Sequence, residues 1–102
     1  MILITAILAA QYTKVETLAF KMARRMGDSL NLSPVQTKNI YTANLFILQQ
    51  KKIQWQQYTN VDSLTQHIQH IENARDSIYQ GLLPADKFNL YKIKKNNLLN
   101  NN

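Results

Sequence analysis

Two histidines stand one helical turn apart, at a spacing that would let both imidazoles share a metal ion. His67 and His70 belong to the segment HIQHIE, and Glu72 follows two positions later. Residues three apart lie on the same side of a helix. Two ligands do not complete a coordination sphere, however, and ligand number is the first requirement of such a site. The pattern favours solvent-facing or flanking histidines, and metal binding by His67 and His70 stays open as an alternative.

The motifs that mark most enzyme classes are missing from the sequence. It has no glycine-rich phosphate loop, no nucleophile elbow and no HExxH segment. Its six carboxylates are scattered, with no pair placed for acid–base catalysis. The chain has no cysteine, which excludes disulfides, thiolate metal sites and cysteine nucleophiles. We therefore predict a protein that is not an enzyme and uses no cofactor.

The balance of charges points toward acidic partners. Twelve basic and six acidic residues give a net charge of +6, which attracts nucleic acid, anionic lipid or acidic polypeptides. No nucleic-acid recognition module is present, and Asn and Gln outnumber Lys and Arg along the polar faces. The sequence thus predicts no specific binding to nucleic acid.

Few residues interrupt a helical pattern that runs along nearly the whole chain. With two Gly and two Pro in 102 residues, long helices are favoured over a sheet of short strands. We predict an all-α fold in one domain, residues 1–95, followed by a disordered Asn-rich tail, residues 96–102. We expect four helices. The first two cover residues 13–29 and 34–58. The third begins at a cap formed by Asp62 or Ser63 and ends at Gly81, and a short fourth helix starts at Pro84.

The first of these helices has an apolar side and a basic side. Its apolar residues recur at steps of three and four, which is typical of one buried face. Phe20 lies outside that face. The basic side carries Lys14, Lys21, Arg24 and Arg25, and a solvated outer surface is the plain interpretation of it.

The next two helices carry apolar residues that need a partner on more than one side. In the second, the main apolar face includes Ile40, Ile47 and Trp55, while Val35, Phe46 and Ile53 lie on roughly the opposite side. Either this helix is central in a small bundle, or its second face binds a partner. In the third helix, residues spaced alternately four and three apart form a seam like that of a coiled coil. Arg75 interrupts its apolar residues, and a buried cation needs a carboxylate partner or must extend its charged end to solvent. The seam residues are Leu64, Ile68, Ile71, Arg75, Ile78 and Leu82.

The first ten residues, MILITAILAA, are apolar apart from Thr5. They are similar to the hydrophobic part of a secretory signal but lack its basic start, and they are too few to span a bilayer. Two interpretations stay open: a signal remnant, in which case the protein is exported, or a first helical turn that packs on the body of the protein or on a partner.

The segment LNLSPVQTKNIY places a helix stop, a cap and a helix start within a few residues. Ser33 suits the N-cap and Pro34 the first helical position. Leu32 can pack the entering chain on the core, and Gln36 can bond back to a backbone amide. The run from Leu32 to Gln36 resembles the LTxxQ motif of the Spy/CpxP-like family of periplasmic proteins, with Ser in place of Thr.

The same family carries its motif twice, each copy opening a helix. Here the second copy would be Leu83-Pro84-Ala85-Asp86-Lys87, which departs from the motif at both polar positions. The segments KMARRMGDSLNLSPVQTKNIYTANL and ENARDSIYQGLL also look like the long-helix segments of Bacteroidetes-type members, and the resemblance covers roughly residues 14–95.

This resemblance implies a four-helix protein whose long hairpin pairs with a second copy in an antiparallel, curved homodimer. It also implies an ATP-independent periplasmic chaperone or envelope-stress protein, which holds unfolded clients on a basic, partly apolar concave surface. The candidates for that surface are Lys14, Phe20, Lys21, Arg24, Arg25 and Phe46. Relatives in the wider superfamily bind or sense metals through histidines near the hairpin, and by that resemblance His67 and His70 would be metal ligands. A helical scaffold or regulator without client activity is the remaining alternative.

Overall fold

The computed structural model describes residues 14–100, which form four α-helices and no strand. They are α1 (Lys14–Leu30), α2 (Pro34–Gln57), α3 (Val61–Leu82) and α4 (Ala85–Asn100). The predicted all-α, four-helix class is confirmed. None of these helices is both long and apolar enough to cross a membrane. The apolar segment of residues 1–10 lies outside the described residues.

Successive helices run antiparallel and pack around one core. Helix α1 packs on α2 and α4, α2 packs also on α3, and the contact between α3 and α4 is the smallest. Apolar residues from all four helices form the core, including Met26, Ile40, Ile47, Tyr79, Tyr91 and Leu98. The predicted apolar sides of the first helix and of the first half of the second are therefore the ones that the fold buries.

One half of the α2–α3 hairpin extends beyond this core. No residue between positions 48 and 74 is buried, and we call this segment the distal hairpin. The described residues measure 45 × 40 × 22 Å, with a radius of gyration of 15.2 Å, whereas a globular domain of this size has about 12–13 Å. Trp55, expected in the core face of α2, is 70% exposed in the distal hairpin, because the core ends before it.

The turn between α1 and α2 has the local structure that its sequence predicts. Asn31 adopts a left-handed conformation with φ of 53°, and the N–H of Leu32 donates to the carbonyl of Gly27 at 2.9 Å, which closes α1 in a Schellman motif. The N–H of Gln36 donates to Ser33 Oγ at 3.1 Å, and the N–H of Ser33 donates to Gln36 Oε1 at 2.8 Å. This capping box satisfies two amides that the helix leaves without partners.

The second turn differs from the prediction in its cap. Asn60, rather than Asp62 or Ser63, caps α3, because its Oδ1 accepts hydrogen bonds from the backbone N–H groups of both residues, at 2.9 and 3.1 Å. At the third turn, α3 continues past Gly81 to Leu82, and Pro84 precedes α4 instead of starting it.

The C-terminal helix is longer than the sequence pattern indicates. Helix α4 has 16 residues and ends at Asn100, so the predicted disordered tail is wrong for residues 96–100; residues 101–102 lie outside the described part. Leu98 is 2% exposed and stands seven residues after Tyr91, which places both on one face of the helix. Burial of that face holds the Asn-rich segment in helical conformation.

Candidate functional site

A groove of about 600 Å³ lies between α1 and the first half of α2. At the end of the groove near the turn, the two helices approach so closely that a Cβ atom on Gly27 would lie 2.8 Å from Thr37 Oγ1. Apolar and aromatic side chains line much of the groove, among them Phe20, Leu32 and Tyr41. A concave surface of this size and composition is suited to hold part of another molecule.

Phe20 gives the groove an exposed aromatic wall. Its side chain is 57% exposed, and its ring meets that of Tyr41 edge to face, with centroids 6.5 Å apart and an interplanar angle of 73°. This geometry is favourable for aromatic pairs. Phe20 is thus fixed on one side and open to a ligand on the other.

Two exposed basic side chains lie in the same groove as this aromatic wall, and two more lie further around α1. Arg24 and Lys38 line the groove together with Asp28, and Lys14 and Lys21 are exposed on the same helix as Phe20. Four of the residues predicted for the client surface, Lys14, Phe20, Lys21 and Arg24, therefore lie on the outer part of α1. Together with Tyr41 and Lys38 we call them the α1–α2 surface.

Two predicted residues do not belong to this surface. Arg25 is half-buried, and its Nη1 donates a hydrogen bond to the carbonyl oxygen of Leu98 at 2.9 Å. Its positive charge thereby offsets the partial negative charge at the C-terminal end of α4. Phe46 is 53% exposed, but it lies five residues after Tyr41 and hence about 140° further around α2. It shares its side of α2 with the exposed Val35 and Ile53. Arg25 and Phe46 are accordingly removed from the candidate site.

The histidine pair lies at the distal hairpin, away from the α1–α2 surface. His67 is half-buried and stacks on Tyr58, with ring centroids 4.2 Å apart and an interplanar angle of 20°, whereas His70 is exposed. Within residues 14–100, no three His, Cys, Asp or Glu side chains are grouped as metal ligands would be. His67 and His70 would need ligands from elsewhere to bind a metal ion tightly.

The motif residues shape the turns, and two of them, Leu32 and Pro34, also line the groove. Leu32 packs against the core from before α2, and Leu83 belongs to the core before α4. The second copy keeps this leucine, but Pro84 has no side-chain oxygen to accept the hydrogen bond that Ser33 Oγ accepts from the N–H of Gln36. The two copies therefore share the anchoring leucine and differ in the cap.

A partly buried polar cluster between α2, α3 and α4 was not found from the sequence. The hydroxyl of Tyr79 donates to Asn44 Oδ1, and the hydroxyl of Tyr91 donates to Asp76 Oδ1 at 2.8 Å. Lys95 Nζ lies 2.8 Å from Asp76 Oδ2. The one signal in the sequence is spacing, since Tyr79 and Asp76 follow Arg75 within one turn of the α3 seam.

Burial and these bonds shift the acidities of the cluster. Burial raises the pKa of Tyr79 to about 12, and burial together with the bond to Asp76 raises the pKa of Tyr91. Burial alone would raise the pKa of Asp76, but the hydrogen bonds from Lys95 and Tyr91 outweigh it and lower that pKa. At neutral pH the cluster thus holds neutral tyrosines beside an ionised carboxylate.

Comparison with known proteins adds no relative to these observations: no protein-family model, curated protein or solved structure matches this chain.

Proposed function

We propose that this protein is an ATP-independent holding chaperone, or an envelope-stress protein of that kind, which binds unfolded segments of other proteins on the α1–α2 surface. The observation that carries the proposal is Phe20, an exposed aromatic residue beside a groove that the exposed cations Arg24 and Lys38 also line. Exposed aromatic residues next to a concave apolar surface mark interaction sites on many proteins. The resemblance to the Spy/CpxP-like family supports the same role.

Binding would proceed in two stages. The cations Lys14, Lys21, Arg24 and Lys38 attract acidic segments over a distance and speed the encounter. Apolar client side chains then contact Phe20 and Tyr41 in the open groove. Few fixed polar partners lie in this groove, which suits clients of varied sequence. Neither stage requires a cofactor or a catalytic step.

We further propose that the protein acts as a homodimer formed through the distal hairpin. This half of the hairpin contributes no buried residue to the core, although Ile71 packs against it, and it exposes Ile53, Trp55 and Val61. A second copy would cover these residues on both partners at once, as two-fold symmetry requires. Export to the periplasm is part of the proposal and depends on residues 1–10 being a signal remnant.

Light scattering from a chemically unfolded client, diluted into buffer without ATP, tests the main proposal. We expect near-stoichiometric amounts of this protein to suppress aggregation, and added salt to weaken the effect because it screens exposed charges. Phe20→Ser should weaken suppression. Ile93→Ser is the matched control, because Ile93 is as apolar and even more exposed but lies on α4.

Two results would redirect the proposal. Absence of suppression by the wild-type protein would favour a scaffold or regulator without client activity. Suppression that appears with zinc and disappears with a chelator would assign the function to His67 and His70 instead of the α1–α2 surface.

A further inference from the structure

A second cavity, of about 410 Å³, lies between the four helices, on the other flank of α1 from the groove. Its apolar wall is formed by Leu18 and Met22 from α1 and by Leu99 from α4. Its polar wall carries charged side chains from the remaining helices, Lys51, Glu72, Arg75 and Lys95. Interiors between facing helices are a common place for small-molecule sites in helical bundles.

Arg75 is the central polar residue of this cavity. Its side chain is 2% exposed, and its Nε lies 3.4 Å from Glu72 Oε2. That contact is an ion pair without hydrogen-bond alignment, and Nε has no hydrogen-bond partner among residues 14–100. A buried guanidinium normally has its N–H groups satisfied, because burying them without partners is costly.

The neighbouring charges do not compensate Arg75. The carboxylate of Glu72 also pairs with Lys51, and Asp76 pairs with Lys95 at 2.8 Å. Three cations thus face two carboxylates, which leaves one positive charge in a partly enclosed space. A buried charge that lacks a full partner is unfavourable until a counter-charge reaches it.

We propose that this cavity binds a small organic carboxylate. Its carboxylate would lie against the Arg75 guanidinium, whose planar arrangement of N–H groups matches two carboxylate oxygens. Its apolar body would lie against Leu18, Met22 and Leu99. When Asp76, which pairs with Lys95 from outside the cavity lining, is counted, the single negative charge of a carboxylate equals the positive charge left over, whereas a dianionic phosphate would exceed it. This site shares no lining residue with the groove beside Phe20 and does not depend on the chaperone proposal.

Hexanoate is a suitable probe because it joins one carboxylate to a short apolar chain. Isothermal titration and amide chemical shifts of the full chain would be recorded with hexanoate, with uncharged hexan-1-ol and with inorganic phosphate. We expect one hexanoate to bind per chain, with shifts centred on residues of the cavity. Hexan-1-ol and phosphate should each bind at least about tenfold more weakly, since each lacks one half of the recognised chemistry.

Substitutions test whether hexanoate binds at Arg75. Arg75→Met should weaken hexanoate binding by about tenfold or more, because it removes the charged partner while keeping much of the volume. Lys52→Met is the matched control, since Lys52 is exposed next to Lys51 and does not line the cavity; its affinity should equal that of the wild type. Circular dichroism would verify folding, and Arg75→Lys, which keeps the charge but loses the planar arrangement, would give a second measurement.

Three outcomes would overturn the proposal. They are no saturable hexanoate binding by the wild-type chain, equal affinity of the folded Arg75→Met variant, and equal affinity for hexan-1-ol. Preference for inorganic phosphate over hexanoate would likewise contradict the assignment to a carboxylate.

Discussion

The guanidinium of Arg25 and the carbonyl oxygen of Leu98 are joined by a hydrogen bond of 2.9 Å between α1 and α4. A matching bond runs the other way, from Lys94 Nζ to the carbonyl oxygen of Ser29 at 3.0 Å. Each helix therefore supplies a cation to a carbonyl in the last turn of the other, where backbone oxygens lack helical partners. These two bonds tie together the first and last helices of the described chain.

The neighbouring arginines Arg24 and Arg25 should consequently differ in role. We expect Arg25→Ala to lower the free energy of unfolding by about 1 kcal/mol, through loss of the bond to Leu98, with little effect on client holding. Arg24→Ala should leave stability nearly unchanged and raise the concentration needed to suppress aggregation by about threefold. Urea unfolding and light scattering on both variants measure this difference. Equal effects of the two substitutions on client holding would contradict it.

The two glycines should respond in opposite ways to alanine. A Cβ atom at position 27 would meet Thr37 Oγ1 at 2.8 Å, so Gly27→Ala should destabilise the protein by about 1–3 kcal/mol through overpacking between α1 and α2. Gly81 lies within α3, with nothing within 4 Å of such an atom. Gly81→Ala should therefore stabilise by about 0.5–1 kcal/mol.

Thermal or urea unfolding measures both glycine variants in the same buffer. Because Gly81→Ala adds the same methyl group in open space, it serves as the control for Gly27→Ala. A Gly27→Ala protein as stable as the wild type would contradict overpacking at the contact with Thr37.

The pair of Asp76 and Lys95 should make the fold sensitive to acid. The pKa of Asp76 is lowered below 3.8 in the folded state, so the folded protein releases this proton more readily than the unfolded chain. The stabilisation is present above the unfolded pKa of about 4 and is lost as pH falls through the folded pKa. The carboxylate is 39% exposed, and solvent screening should limit the effect to about 1 kcal/mol or less.

Urea unfolding at a series of pH values below about 5 follows this loss. Asp76→Asn and Lys95→Met should both flatten the dependence on pH, whereas Lys92→Met, on the same helix and away from the pair, should keep the wild-type slope. An unchanged slope in Asp76→Asn would assign the acid sensitivity to another carboxylate.

Dimer formation should depend on the distal hairpin. Trp55→Arg combined with Val61→Arg places cations on two residues that are largely exposed there, so we expect the double variant to sediment as a monomer at concentrations where the wild type is dimeric. Ile93→Arg, an equally exposed site on α4, is the control and should leave the dimer intact. A monomeric wild-type protein, or a dimeric double variant, would exclude this interface.

Local chemistry explains what could be predicted from the sequence and long-range packing explains what could not. The cap formed by Ser33 and Gln36 was predicted because its hydrogen bonds join residues three apart. The cap at Asn60 was missed because two other capping residues follow it closely. Composition suggested a disordered tail, yet the burial of Leu98 against distant helices decides its conformation.

The candidate site shows the same division. The exposure of Phe20 could be predicted from its position outside the apolar side of α1. The separate fates of Arg24 and Arg25 depend on where α4 packs, which no pattern within α1 reveals. Likewise, the cavity around Arg75 requires side chains from all four helices. The position of Arg75 in the seam had indicated the need for a carboxylate, and Glu72 meets that need only in part because it also pairs with Lys51.

The absence of buried residues between positions 48 and 74 bears on how the chain fluctuates. Helices α2 and α3 each continue from the core into the distal hairpin, where few apolar contacts support their backbone hydrogen bonds. Amide hydrogens in the distal hairpin should therefore exchange with solvent through local opening, while those near Ile47 and Tyr79 should exchange only through global unfolding. Any molecule that covers the distal hairpin would merge these two cooperative units into one.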